Sequence, residues 1–221
     1  LSLTATLKQI NDIYNNNNVI SNDSIEYFGK IIVNKSLQWA IENNIICDYR
    51  FQVIITTVEE QLIKFNIPKE HHNKFLSAYV ALESLNTCSS HHLLIFANNI
   101  ADTKIILEYI KLLLDNNYNN IKSKIYYKKY SSDIKHKHKP KIINDFIDSE
   151  LGIIVCVFCL GEGFDCKIID GVVFSDNMYS PIRIVQSALR ASRKNTSEPN
   201  KIAKIIFPII NNNNNLLDNN T

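Results

Sequence analysis

Gln186, Arg190 and Arg193 are the residues of this chain best suited to gripping a polyanion. They stand at i, i+4 and i+7, so a helix running from Pro181 to Arg193 would carry all three on one face. A guanidinium stays charged and meets phosphate oxygens with a planar fork of donors. Ile182, Val185 and Leu189 would form the apolar face of that helix, against a sheet. The plain alternative is a solvated charged helix face. About twenty residues earlier, Leu160-Gly161-Glu162-Gly163-Phe164-Asp165 follows an apolar run. Glycines let a backbone approach a ligand closely. The Asp165 carboxylate could accept hydrogen bonds from ribose hydroxyls. In parallel sheets, ligands collect at the carboxyl ends of strands. The plain alternative is a tight turn after a strand.

Other segments carry weaker signals. Lys122 to Lys141 holds eight lysines, three tyrosines and two histidines against one acid, Asp133. Cations interleaved with aromatics suit phosphate contact and base stacking. A solvated lysine-rich connection explains the run more simply. Cys156 and Cys159 are three apart on a predicted strand and so point to opposite faces. They read as buried thiols and not as metal ligands. His136 with His138, and the adjacent pairs His71-His72 and His91-His92, make poor chelators. No metal site is predicted.

These residues need a scaffold, and the hydrophobic pattern supplies one. Leu1 to Thr6 reads as a short strand, Lys30 to Val33 as strand-like and Ser36 to Asn43 as helix-like. Glu70 to Leu85 has helical periodicity, with Phe75, Tyr79, Leu82 and Leu85 on one face. A strand at Leu93–Ala97 then precedes a helix at Ala101–Leu114. Further strands are read at Lys124–Tyr130, Ile153–Leu160, Gly171–Ser175 and Ala203–Ile210, with a short helix at Lys141–Ser149. Pro181 suits the first turn of the helix that carries the arginines. Alternating strands and helices imply a parallel sheet with right-handed crossovers.

The bulk properties are ordinary. The chain has 221 residues, 45% hydrophobic and 21% charged, with a net charge of +2. Any nucleic-acid affinity must therefore come from local patches or a partner. The longest apolar run, Ile153 to Leu160, is far too short to span a membrane. Five cysteines without framework spacing favour a reducing compartment, so an intracellular, non-secreted protein is expected. The first residues lack both Met and a signal-type core, so the chain is expected to begin inside a longer protein. The 29 asparagines, with runs at Asn15–Asn18 and Asn211–Asn215, read as solvated loops.

Together the segments resemble the motifs of superfamily 2 DEAD/DEAH-like helicases. Gln186-Ser-Ala-Leu-Arg190-Ala-Ser-Arg193 resembles motif VI, Q-x-x-G-R-x-x-R. Gly161 to Asp165 resembles motif V, Leu3-Thr4-Ala5-Thr6 motif III, and Leu94 to Asn99 motif IV. Phe28-Gly29-Lys30, Ser36-Leu37, Ala40-Ile41 and Ile46-Cys47-Asp48-Tyr49 look like the inter-lobe segment of restriction-type and viral members. Lys201 to Pro208 looks like their final strand. The resemblance implies an α/β fold, a RecA-like (P-loop NTPase-type) lobe with a mostly parallel sheet flanked by helices. Residues 1–24 would end the first RecA-like lobe, 25–50 would be the linker, 51–210 the C-terminal lobe and 211–221 an Asn-rich tail.

By the same resemblance, ATP would lie between two lobes, with Arg190 and Arg193 as arginine fingers. Gln186 would couple nucleotide to Thr4 and Thr6. Glu162, Gly163 and Asp165 would meet the ribose and phosphates. Asn98, Gly161 and Lys139 would hold a nucleic-acid backbone, DNA being favoured over RNA. The sequence departs from the pattern at Leu189, where motif VI usually has Gly, at Gly161, where motif V often has Thr, and at Leu7, where Pro is common. No G-x-x-x-x-G-K-[ST] and no D-E-x-[DH] box occur in these residues. Mg2+ and most of the ATP contacts would therefore come from the first lobe, and the chain alone is expected to be inactive. Two alternatives stay open: a non-catalytic nucleic-acid-binding remnant of a helicase, and a nucleotide-binding α/β transferase using the Gly161–Asp165 turn.

Overall fold

Ile153, Ile154 and Val155 have no exposed surface, and they occupy the middle of strand β4, Leu151–Cys156. Side chains on a strand alternate, so burial of all three requires cover on both faces of a sheet. The same holds for β2 (His92–Phe96) and β5 (Gly171–Phe174), buried at every residue. In the computed structural model, which describes residues 24–56, 59–157, 166–175 and 181–210, these are the central strands. The sheet has six strands in the order β1-β6-β5-β2-β4-β3, with β1 at Asp48–Thr56, β3 at Ile125–Tyr130 and β6 at Ile202–Ile210. Every pairing is parallel.

Leu93, Ile95, Ile153, Val155, Val173 and Ile206 belong to one core, shared with helices α4 (His72–Asn86) and α5 (Ile100–Asn116). Leu94, Phe96, Ile154, Val172, Phe174 and Ile205 belong to a second core, with Phe146 from helix α6 (Lys139–Asp148) and Ala188 from helix α7 (Pro181–Ala188). Going from β1 to β2 and from β2 to β3, the chain advances along the strand order through α4 and α5. From β3 to β4 and from β5 to β6 it returns through α6 and α7, on the opposite face. That division is what right-handed crossovers require.

Smaller helices complete the chain: α1 at Ile25–Phe28, α2 at Leu37–Glu42 and α3 at Glu59–Lys64. Ser36 caps α2 by accepting a hydrogen bond from the Trp39 amide. Four sequence expectations change here. Lys30–Val33 forms no strand, and Ile31, Ile32 and Val33 are 60%, 80% and 69% exposed. The apolar run from Phe51 to Thr56 belongs instead to β1, which no predicted element covered. α4 is buried around most of its circumference and not on one stripe, because α5 packs beside it as well as the sheet. The regular part of β4 ends at Cys156, four residues before the predicted limit; Leu160 itself, like Leu1–Thr6, lies outside the described residues.

His92 shows how tightly the core closes around a polar group. It pairs with Gly152 across β2 and β4, and its ring meets Phe146 edge-on at 5.0 Å. A Cβ on Gly152 would stand 2.6 Å from the Phe146 ring, so only glycine lets α6 approach this strand. The His92 Nε2 lies 3.1 Å from the Ser149 carbonyl oxygen, a bond the neutral ring makes by donating. Burial pushes the His92 imidazole below its ordinary range, against the opposing pull of Asp170. The unfolded chain therefore takes up a proton here before the folded one does. Stability should fall as the pH drops below about 6.5. Urea unfolding midpoints at two pH values, one on each side of that point, should differ less in His92→Gln than in the wild type.

Candidate nucleotide and nucleic-acid interface

The helix carrying Gln186 is shorter than its sequence suggests. α7 ends at Ala188, and the next amides tighten into a turn: Arg190 N bonds Ser187 O at 3.1 Å and Ala191 N bonds Ala188 O at 3.1 Å. Gln186, Arg190 and Arg193 therefore do not share one helical face. Gln186 is exposed on α7, Arg190 is half-buried in the turn, and Arg193 sits in an isolated antiparallel bridge with Ile46. The residues packed inward are Ile184, Ala188 and Ala191. Val185 and Leu189, assigned to that face from the sequence, are half-buried. Ser187, Ala188, Ala191 and Ser192 are all small and buried, which lets this turn lie close against the sheet.

The turn is held from outside by three successive carbonyls. Ala191 O accepts from the Cys47 thiol at 3.8 Å and Ser192 O from the Cys47 amide at 2.8 Å. Arg193 O accepts from the Lys201 ammonium at 2.7 Å. Lys194 donates to the Asn44 side-chain oxygen at 2.8 Å. Burial pushes the Cys47 thiol up, outweighing the nearby Lys201 charge. Since Ile46 precedes β1 and Lys201 precedes β6, the arginine turn lies by the N-terminal ends of these strands.

Asn98 and Lys139 lie at the other end. Asn98 follows β2 and is exposed. Its neighbour Asn99 caps α5, accepting from Asp102 N at 2.9 Å. The strand ends around it are laced together: Ala97 N bonds Cys156 O at 2.9 Å and the Ser175 hydroxyl donates to Phe96 O at 3.0 Å. Lys139 opens α6, with its ammonium 5.3 Å from the ring centre of Tyr130, the last residue of β3. Lys135, His136, Lys137 and His138 just before it are exposed, and Lys129 pairs with Asp133 at 2.5 Å. This is a solvated basic rim on the same edge as Asn98, two strands away.

The connection from β4 to β5 leaves the Asn98 end at Val157 and arrives at the arginine end through Cys166 to Asp170. Gly161, Glu162, Gly163 and Asp165 fall on it but lie outside the described residues, as do Thr4 and Thr6. Two polar residues that the sequence reading missed anchor the arrival. Lys201 also donates to Lys167 O at 2.7 Å. Asp170, 7% exposed, accepts from the amides of His91 at 2.7 Å and His92 at 3.0 Å. Neither has a local sequence signature; each acts through segments distant in the chain. Among the described residues no group of three or more His, Cys, Asp or Glu could hold a metal ion. No helix among them is long and apolar enough to cross a membrane.

Known structures share this architecture. The ATP-dependent Type ISP restriction-modification enzyme LlaBIII bound to DNA superposes with a TM-score of 0.66 at 17% identity, over 86% of this chain. The DUF1998 helicase MrfA bound to DNA and AMPPNP gives 0.53 at 19% identity over 72%. Domain 2 of the DEAD-box helicase Mss116p bound to an RNA duplex gives 0.51 at 16% identity over 73%. The chain spans only 14%, 20% and 54% of those chains, respectively. At such identities the likeness establishes the fold alone, that of a RecA-like lobe. No curated protein sequence matches. The model of the helicase conserved C-terminal domain matches residues 59–195, most of the chain, and the chain belongs to that family.

Proposed function

We propose that this lobe works in an ATP-driven motor that moves along nucleic acid, its arginine turn completing a nucleotide site begun on a first RecA-like lobe of the same polypeptide. The observation that carries this reading is the anchored turn: two half-buried arginines on a backbone held at three successive carbonyls. Two guanidiniums on a fixed backbone suit a polyphosphate, whose oxygens each accept from a planar fork. Arg193 and Arg190 would stabilise the charge that builds on the γ-phosphoryl oxygens as water attacks in line. Gln186 would couple that event to Thr4 and Thr6. Glu162, Gly163 and Asp165 would meet the ribose and phosphates. Mg2+, held mainly by the first lobe, would supply further charge neutralisation on the phosphates. Water-driven turnover is absent from this chain alone on this reading.

The nucleic-acid strand would run along the Asn98 end, with Gly161 and Lys139 also on its backbone. DNA is favoured over RNA by the restriction-type similarity. Contacts to phosphate carry no sequence information. Lys139→Ala should therefore weaken binding by a similar factor for every sequence and reduce the slope of log K against log salt by about 1. Fluorescence anisotropy with single-stranded DNA over a salt series checks this; an unchanged slope removes Lys139 from the track. The motor itself is tested by nucleic-acid-stimulated ATP hydrolysis of the full-length protein. A non-catalytic remnant would show none.

A further inference from the structure

Lys201 is 8% exposed, an unusual place for an ammonium group. Burial lowers its proton affinity, with Cys47, Asp170 and Glu198 pulling the other way. An apolar side chain would fill the same space without that cost. What it could not do is donate to two carbonyl oxygens at once. The Lys201 Nζ lies 2.7 Å from Arg193 O and 2.7 Å from Lys167 O, both short charge-assisted bonds. The first oxygen belongs to the candidate finger itself. The second belongs to the connection arriving from Gly161–Asp165.

We infer that Lys201 is a positioning residue: its ammonium clamps the Arg193 backbone to the end of the β4–β5 connection, and so fixes where the Arg193 guanidinium can reach. The inference rests on the reading of Arg193 as a finger. Geometry explains why such a clamp matters. Arg193 has left the helix, so no intrahelical ladder holds its backbone. Lys201 donates to its carbonyl, and the antiparallel bridge to Ile46 pairs the chain at the same residue. A misplacement of about 1 Å can cost a catalytic group on the order of a hundredfold in rate. The same ammonium also ties Lys167, in the last part of the β4–β5 connection, to the arginine turn.

The test compares ATP turnover of the full-length protein at saturating single-stranded DNA for the wild type, Lys201→Met, Lys201→Gln, Arg193→Ala and the Lys201→Met/Arg193→Ala pair. Melting curves normalise each rate to folded protein. Lys201→Met should lower kcat by roughly tenfold to a hundredfold with little change in KM for ATP. Lys201→Gln, which keeps one amide donor, should fall between it and the wild type. The double variant should be no slower than Arg193→Ala alone, because a positioning residue has nothing left to position. A merely structural lysine would lower the melting temperature and multiply its loss onto that of Arg193→Ala, and that result overturns the inference. Wild-type kcat in Lys201→Met beside a slowed Arg193→Ala also overturns it, and leaves the finger reading standing. Arg193→Ala at the wild-type rate overturns both. Should Lys201→Met fail to fold, Lys201→Gln carries the same comparison with Arg193→Ala.

Discussion

Arg193→Ala in the full-length protein is expected to cut nucleic-acid-stimulated ATP turnover by on the order of a thousandfold or more, the usual worth of an arginine finger. The loss should fall on kcat. A finger acts on charge that exists only in the transition state, so binding of ATP in the ground state changes little. Arg193→Lys should recover only part of the rate, since an ammonium keeps the charge but not the fork. Stopped rates with and without single-stranded DNA separate this effect from a loss of stimulation. Equal rates in wild type and Arg193→Ala would leave a lobe that binds nucleic acid without driving a motor.

The largest expected effect on folding belongs to Asp170→Ala. Both carboxylate oxygens accept from backbone amides at the start of β2, the part-buried one of His91 and the buried one of His92. Asp170 N in turn bonds His92 O at 3.0 Å, and Lys204 N bonds Asp170 O at 2.9 Å, so one residue joins the starts of β2, β5 and β6. Removing the side chain strands two amide donors and takes a counter-charge from beside the buried Lys201. The cost should be about 3–5 kcal/mol. Urea unfolding followed by circular dichroism would read it as a lower midpoint. Glu150→Ala, which breaks only an exposed pair with Lys124, should leave that midpoint unchanged.

Much of the architecture was legible because buried strands and amphipathic helices write their periods into the sequence. Leu93–Ala97, Ile153–Leu160 and Gly171–Ser175 are apolar runs of strand length, and each corresponds to a central strand whose neighbours bury both faces. β1 had no counterpart among the predicted strands, although every residue from Val53 to Val58 is β-branched. Lys30–Val33 misled for the opposite reason. Three β-branched residues in a row favour a strand, yet a strand also needs a partner to take its backbone bonds.

The spacing of Gln186, Arg190 and Arg193 was legible as chemistry but not as geometry. The i, i+4, i+7 pattern argued for one helical face. Burial of Ser187, Ala188, Ala191 and Ser192 instead bends the chain out of the helix after Ala188. A helical pattern cannot register that its last turn is replaced by contacts with residues 44–47, some 145 positions away. Lys201 and Asp170 were invisible for the same reason. Their partners are main-chain atoms, which leave no letter in the sequence.

The nine paired positions of β1 and β6, from Asp48 opposite Ile202 to Thr56 opposite Ile210, also have a mechanical meaning. A pull along the chain from the side of residues 25–45 would arrive at Ile46 and Cys47. The first bonds to bear it are the one from Lys194 to Asn44 and those of Ile46 and Cys47 to Ala191, Ser192 and Arg193. Behind them the β1–β6 ladder lies along the pull, so its bonds would be loaded in shear, sharing the force, and would not be peeled open one at a time. Tension entering from that side would therefore strain the arginine turn before it strained the sheet.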